Sequence, residues 1–274
     1  MNIWQIALVQ PLANGLIIFY KFLGQNMGVA IILFSVFLRF VLNPLTKPYM
    51  DSMKKMKDFA PELEKLKVRH KDNKEMFAKA QADFYKQKGF NPGAGCLPYL
   101  LQIVILIALF NVFSSVLTAN GEIVNKINTL LYEPLKFAQG TIINTKFLYL
   151  DVTKPDVFHI AGVPFPIPGP LLILSALIQM LSAKMTAPFV EKEKKIAKKT
   201  KGEEDDMQVA MQSSAIYTFP LMTILIGVSF SSGLALYWLV FSLYQMIQQY
   251  YSSGWGGLTP WLTKLNLLQS PKKK

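Results

Sequence analysis

The chain has 274 residues, 51% of them apolar, with a positive mean hydropathy and a formal net charge of +12. The apolar residues fall in long blocks rather than at scattered amphipathic spacings, which excludes an ordinary soluble domain and points to lipid. A single cysteine, Cys96, excludes an intramolecular disulfide and speaks against a cysteine-only metal site.

In chain order, Ile3 to Leu23 comes first. It has no basic n-region, and Pro11, Asn14 and Gly15 interrupt its apolar run, so it does not read as a cleavable signal peptide. We read residues 1–28 as an amphipathic segment in the membrane interface, with a sixth span as the alternative. Five blocks then approach the roughly 20 helical residues that cross a hydrocarbon core of about 30 Å. They are about 29–45, 96–117, 170–188, 215–230 and 234–250, the last two joined by the Ser231-Ser232-Gly233 turn. Several are short, so flanking side chains must snorkel or the bilayer must thin. The expected fold is all-α: a polytopic five-helix core (29–250) with a cytoplasmic helical hairpin and an interfacial N-terminal helix.

Orientation follows from charge. Residues 50–91 hold eleven basic and seven acidic side chains, 118–168 four of each, 184–212 seven and six, and the tail 251–274 four lysines and no acid. The basic excess marks the first loop, the third loop (189–212) and the tail as cytoplasmic, giving N-terminus out and C-terminus in. The same distribution accounts for the net charge without sequence-specific nucleic-acid binding. In the first loop, Met56, Phe59, Leu63 and Leu66 recur at helical spacing. After a break at His70–Asn73, Phe77, Ala80 and Phe84 make a second stripe that Gly89 ends. This is an antiparallel hairpin with lysine-dense outer faces (Lys54, Lys55, Lys57, Lys65, Lys67), either simply solvated or a docking surface. The run Lys192–Lys201 followed by Glu203–Asp206 reads as a solvated connection. The outer loop 118–168 reads as a partly helical cap.

One residue stands apart. Arg39 lies ten residues past Val29, about 15 Å into the membrane at the helical rise. An arginine there costs a few kcal/mol on insertion scales and about 10 or more in simulations of a lone helix. No span contains Asp or Glu, so the guanidinium must meet water or polar side chains. Ser35, Arg39 and Asn43 share one helix face and Thr46 extends it. Gln102, Asn111, Gln179, Ser182, Thr218 and Ser242 lie in other spans, and together these residues suggest a wet groove open to the cytoplasm. Enzyme readings fail. His70 and His159 lie in loops on opposite sides, there is no acidic pair in the membrane, and Gly89, Gly93 and Gly95 lack the Lys-Ser/Thr of a phosphate loop. No cofactor is expected.

Several motifs carry a resemblance. Phe37-Leu-Arg-Phe-Val-Leu-Asn-Pro-Leu-Thr-Lys47 with Ser52–Met56 and Pro61–Leu66 resembles the first core span and hairpin of the YidC-type membrane protein insertases. Gly89-Phe-Asn-Pro-Gly-Ala-Gly-Cys-Leu-Pro-Tyr-Leu-Leu-Gln102 resembles that family's lead into its second core span. Phe219–Met222, Gly233–Trp238 and Ile247–Gln249 match in order and spacing, so the resemblance covers roughly residues 10 to 250. It implies five core helices around a hydrophilic groove, with Arg39 as the groove arginine and Gln179 and Trp238 lining it. It further implies nascent membrane proteins as substrates, and contacts of hairpin and tail with the ribosome, targeting factors or the general secretion channel. Departures expected from the pattern are the lack of a large extracytoplasmic domain and of a lipoprotein signal, and Ser242 stands where Asn is common. The expected activity is insertion of membrane proteins from the cytoplasmic side of a bacterial cell membrane. A small solute transporter or anion channel using Arg39, and an assembly chaperone that moves no tail, are the rival readings.

Overall fold

The computed structural model describes residues 2–70, 73–90, 97–117, 123–186 and 216–265. The charged run 192–206, the last nine residues, the glycine-rich lead 91–96 and the outermost residues of several expected spans lie outside that set. The chain is predominantly helical: α1 (Gln10–Phe22) follows a π-helical turn, Gln5–Val9, and precedes α2 (Met27–Arg69), α3 (Lys74–Gln87) and α4 (Leu97–Leu117). Then come α5 (Ile123–Asn128), four two-residue strands and α6 (Pro170–Thr186). A helix at Ile216–Gly227 (α7), α8 (Ser232–Ser253) and a short α9 (Thr259–Lys264) complete it. Among the described residues, one stretch, Met27–Leu45, is both long and apolar enough to cross a membrane. Ile103–Phe113, Pro170–Met185 and Ile216–Gly227 are shorter apolar helices.

The sequence divides residues 29–69 into a span and a loop helix, whereas the structure makes them one helix of 43 residues. Pro44, Pro48 and Pro61 lie inside it. Each proline removes one rung of the backbone ladder, about 3 kcal/mol in an ordinary helix interior.

The chain forms two compact units. The first gathers Met1–Leu42, Leu100–Gln179 and Pro220–Tyr244 around one apolar core. Ile17 of α1, Ile31 of α2, Leu109 of α4, Ile127 of α5, Leu172 of α6 and Leu234 of α8 are almost wholly buried there. For helices set in lipid, such packing stabilises through van der Waals contact rather than through escape from water. Gly15 lies so close to Phe34, and Gly28 to Phe147, that a methyl group at either would run into the ring.

The connection between α4 and α6 organises this unit. Two antiparallel pairs, β1 (Lys146–Phe147) with β2 (Leu150–Asp151) and β3 (Val157–Phe158) with β4 (Ile167–Pro168), hold its second half. A helix start leaves four N–H groups without ladder partners, and this loop answers one or two of them in each of three helices. The Met27 N–H of α2 donates to the Asn144 carbonyl at 2.9 Å, and Asn26 caps Val29 while donating to Lys146. For α6, Leu171 N–H donates to the Tyr149 hydroxyl and Leu172 N–H to the Asp156 carboxylate, each at 2.9 Å. Gly169 is required beside it, because a Cβ there would collide with Asp156. For α8, Ser232 and Gly233 N–H groups donate to the Lys154 and Val152 carbonyls at 2.7 and 3.0 Å. The starts of α2, α6 and α8 therefore gather on one loop.

Asn14, which by sequence only interrupts an apolar run, ties α1 to the same loop. Its buried amide donates to the Gln10 and Leu130 carbonyls at 2.7 and 2.9 Å and accepts from the Tyr132 N–H at 2.8 Å. The Tyr20 hydroxyl accepts from Asn144 N–H in the same way.

The second unit comprises Asn43–Tyr99, Met180–Phe219 and Gln245–Lys274. The C-terminal part of α2 and α3 form an antiparallel hairpin. Phe59 meets Phe84 and Phe90 edge-on at 5.4 and 5.6 Å, and Leu63 is buried. Asn73 caps α3 by accepting from Met76 N–H. Lys88 pairs with Glu62 at 3.2 Å and stands near the Phe59 and Phe84 rings. In the same unit the segment after α8 turns back, and Trp261 of α9 covers the Lys184 ammonium at 3.1 Å. Gly256 there meets the Met185 carbonyl too closely for any side chain and has a positive φ of 48°.

Replacing Asn14 by alanine removes the buried link and strands the Leu130 carbonyl and Tyr132 N–H, at a cost of about 2–3 kcal/mol. Thermal unfolding in detergent is expected to show a clearly lowered midpoint for Asn14→Ala, and an unchanged midpoint would contradict this role. Asp151 gives a pH dependence. Partial burial raises its pKa, but hydrogen bonds from Thr153, Thr145 and Lys146 outweigh that and hold it below the ordinary value of 3.8. A depressed folded pKa stabilises above the unfolded value and ceases to do so as pH falls through the folded one. The stability gap between the native protein and Asp151→Asn is thus expected to be constant near neutrality and to shrink below pH 3.8. A gap that persists undiminished in strong acid would refute it.

Candidate functional site

Arg39 sits in the first unit on α2, and only 8% of it is exposed. Its guanidinium carbon lies 3.4 Å over the Phe241 ring centroid and 5.6 Å from that of Tyr244, both on α8. One terminal nitrogen donates to the Phe241 carbonyl across a long 3.4 Å. Nε is buried and finds no hydrogen-bond partner among the described residues. Arg39 forms no ion pair with any described acidic residue. Ion pairs among the described residues include Lys88–Glu62 in the α2–α3 hairpin, and Lys136–Glu133 and Lys146–Asp151 in the α4–α6 connection.

A guanidinium has five N–H donors, and here the buried Nε is the nitrogen left without a hydrogen-bond partner among the described residues. What holds it is ring quadrupole rather than countercharge. A desolvated cation over an aromatic face gains about 2 kcal/mol, less than the several kcal/mol that burying a cation costs. The arrangement is a positive charge fixed in place and incompletely satisfied.

The other polar residues expected near Arg39 divide. Ser35 is buried one turn before it, but its hydroxyl donates to the Ile31 carbonyl of its own helix. Asn111 does the same toward Ile107. Gln179 of α6 accepts from the Thr223 hydroxyl of α7 at 2.7 Å, a polar link between two apolar helices. Trp238, partly buried, stands one turn before Phe241 on the same side of α8. Ser242 is buried. Asn43 belongs to the second unit, where its carboxamide accepts from Gln248 at 2.6 Å. Gln102 lies on α4, but its side chain is outside the described residues. Of the hairpin lysines, Lys55 and Lys65 are exposed and Lys67 is half-buried, while the Lys54 and Lys57 side chains are outside the described set.

Phe241 and Tyr244, the residues in contact with Arg39, escape sequence reasoning because aromatic residues in an apolar helix read as lipid-facing. The available signal was the spacing Trp238, Phe241, Tyr244, three residues apart along one face. Among the described residues no three His, Cys, Asp or Glu side chains come together in a way that holds a metal ion.

Comparison with known proteins extends this picture. The family described as 60Kd inner membrane protein matches residues 18–255. A membrane protein insertase YidC from Fusobacterium nucleatum subsp. nucleatum is 31% identical over 232 residues, covering 84% of this chain and 87% of the relative. Proteins of the same name from Pelobacter propionicus and Caulobacter vibrioides are 29% and 31% identical over 90% and 88% of this chain. The chain spans only 39% and 35% of those two. The quoted motifs lie almost wholly within the matched range, as does the buried arginine. The chain belongs to the 60Kd inner membrane protein family, that of the YidC-type membrane protein insertases.

Proposed function

We propose that this protein inserts other proteins into the membrane by drawing a short hydrophilic tail of the nascent substrate toward Arg39. The carrying observation is the state of that side chain: a buried guanidinium stacked on Phe241, with neither an acidic partner nor a hydrogen-bond partner for Nε among the described residues. Such a group attracts an acidic tail strongly, because Coulomb energy grows as the effective dielectric falls. It also releases the tail, because the aromatic faces of Phe241 and Tyr244 take the cation back. The substrate's apolar segment then partitions into lipid under its own hydrophobicity, at about 25 cal/mol per Å² buried. The cycle uses no nucleotide, cofactor or covalent step, so the protein acts as an insertase rather than an enzyme.

In this reading the α2 segment to Leu45, α4, α6, α7 and α8 span the bilayer as a five-helix core, with residues 1–28 in the interface. Lysine-rich loops place the hairpin and tail in the cytoplasm and the N-terminus outside. Ser35, Gln102, Gln179 and Trp238 line the path to Arg39. The exposed hairpin lysines receive the ribosome or targeting factors, and the secretion channel is a further partner.

Arg39→Ala is expected to lower insertion of an acidic-tailed substrate by roughly tenfold or more, since about 1.4 kcal/mol of lost attraction is a factor of ten. Arg39→Lys keeps the charge but loses the planar stack, so it should retain much of the activity. The check is insertion into vesicles of one substrate carrying acidic or neutral tails, with the Arg39→Ala defect confined to the acidic tail. Equal insertion by all three proteins would rule out this role.

A further inference from the structure

Two turns of the α4–α6 loop show apolar side chains to the outside. At the β1–β2 turn, Leu148 adopts a positive φ of 51° and is 84% exposed. A bulky residue is disfavoured in that conformation, which glycine or asparagine usually fills. At the β3–β4 turn, Phe158, Ile160 and Phe165 are each more than half exposed. Water offers none of these side chains a reason to be there.

Both turns are pinned to the start of α6. The Tyr149 hydroxyl accepts from Leu171 N–H, and Gly169 N–H donates to the Asp156 carbonyl one residue before α6 begins at Pro170. Residues 157–168 contain no Asp, Glu, Lys or Arg. Pro164, Pro166 and Pro168 carry no N–H, so this hairpin brings fewer unpaired donors than an ordinary loop of its length into a poorly hydrated layer. Exposed Lys154 precedes the stretch by three residues, placed to meet phosphate groups.

We propose that Leu148, Phe158, Ile160 and Phe165 form an apolar collar that immerses in the lipid headgroup layer around the start of α6. The occupant is bilayer lipid. The collar continues directly from an apolar helix, Pro170–Met185, and its chemistry passes from apolar tips to a lysine as an interface does. The collar sets the height of α6 in the membrane and keeps the loop that caps three helix starts pressed to the surface. This inference rests on the reading that α6 crosses the bilayer.

The test uses the full chain with its sole cysteine removed (Cys96→Ser), in vesicles of phosphatidylethanolamine and phosphatidylglycerol. Ile160→Cys, Phe165→Cys and Leu177→Cys are made singly, the last exposed on α6, and each is labelled with a small fluorophore. Labels at positions 160 and 165 should be quenched several-fold more by lipids spin-labelled near the headgroup than by aqueous iodide. The label at position 177 should respond to deep-labelled lipid. Iodide quenching at 160 and 165 with lipid quenching at 177 overturns the collar and leaves the span intact. Failure of both quenchers at 160 and 165 means that protein covers them, and also overturns it. Iodide quenching at 177 removes the span and the collar with it.

Discussion

Hydrocarbon cannot hydrogen-bond, so a helix that meets it must have its terminal N–H groups answered by protein or at the wet boundary. The loop between α4 and α6 does this for one or two such groups in each of three helices. It gives the Asn144 carbonyl to α2, the Tyr149 hydroxyl and Asp156 carboxylate to α6, and the Lys154 and Val152 carbonyls to α8. Asn14 and Tyr20 fasten α1 to the same scaffold. The first unit thus has its helix starts fixed by directional bonds and its body fixed by apolar packing. Against that background an unmet polar group stands out.

Arg39 is the charged group that this accounting leaves open. Its neighbours are rings and a distant carbonyl, and the nearest serine on its own helix has turned its hydroxyl to the backbone. A fully paired arginine would be stable and inert toward a passing anion. One held by cation–π contacts and a single long hydrogen bond to the Phe241 carbonyl is positioned yet available. The incomplete satisfaction that costs stability is what the proposed function requires.

Much of this was legible in the sequence. A charge among apolar residues is read directly, and so is a pairing stripe such as Phe59, Leu63 and Phe84, because both depend on local spacing. The α4–α6 loop reads in sequence only as a partly helical cap; its detailed order was not legible, since it comes from bonds such as Asn14 to Leu130 that join residues 116 positions apart. By sequence the first span ends near residue 45 and the hairpin begins at residue 50, whereas α2 runs on without a break through Pro44 and Pro48. The shared face of Ser35, Arg39 and Asn43 was correct as helix geometry but said nothing of bonding. Ser35 turns to Ile31 and Asn43 to Gln248. Stacking on Phe241 could not be foreseen, since spacing within one helix does not say which neighbour it meets.

The most direct test of the central claim asks what comes to Arg39 during insertion. Tyr244, 5.6 Å from the guanidinium, is replaced by a photoreactive phenylalanine analogue of similar shape, and ribosome-stalled nascent chains with acidic tails are presented. The account predicts adducts to the polar tail, lost when Arg39 is changed to alanine. Adducts to the substrate's apolar segment alone, or tail adducts indifferent to Arg39, would contradict it.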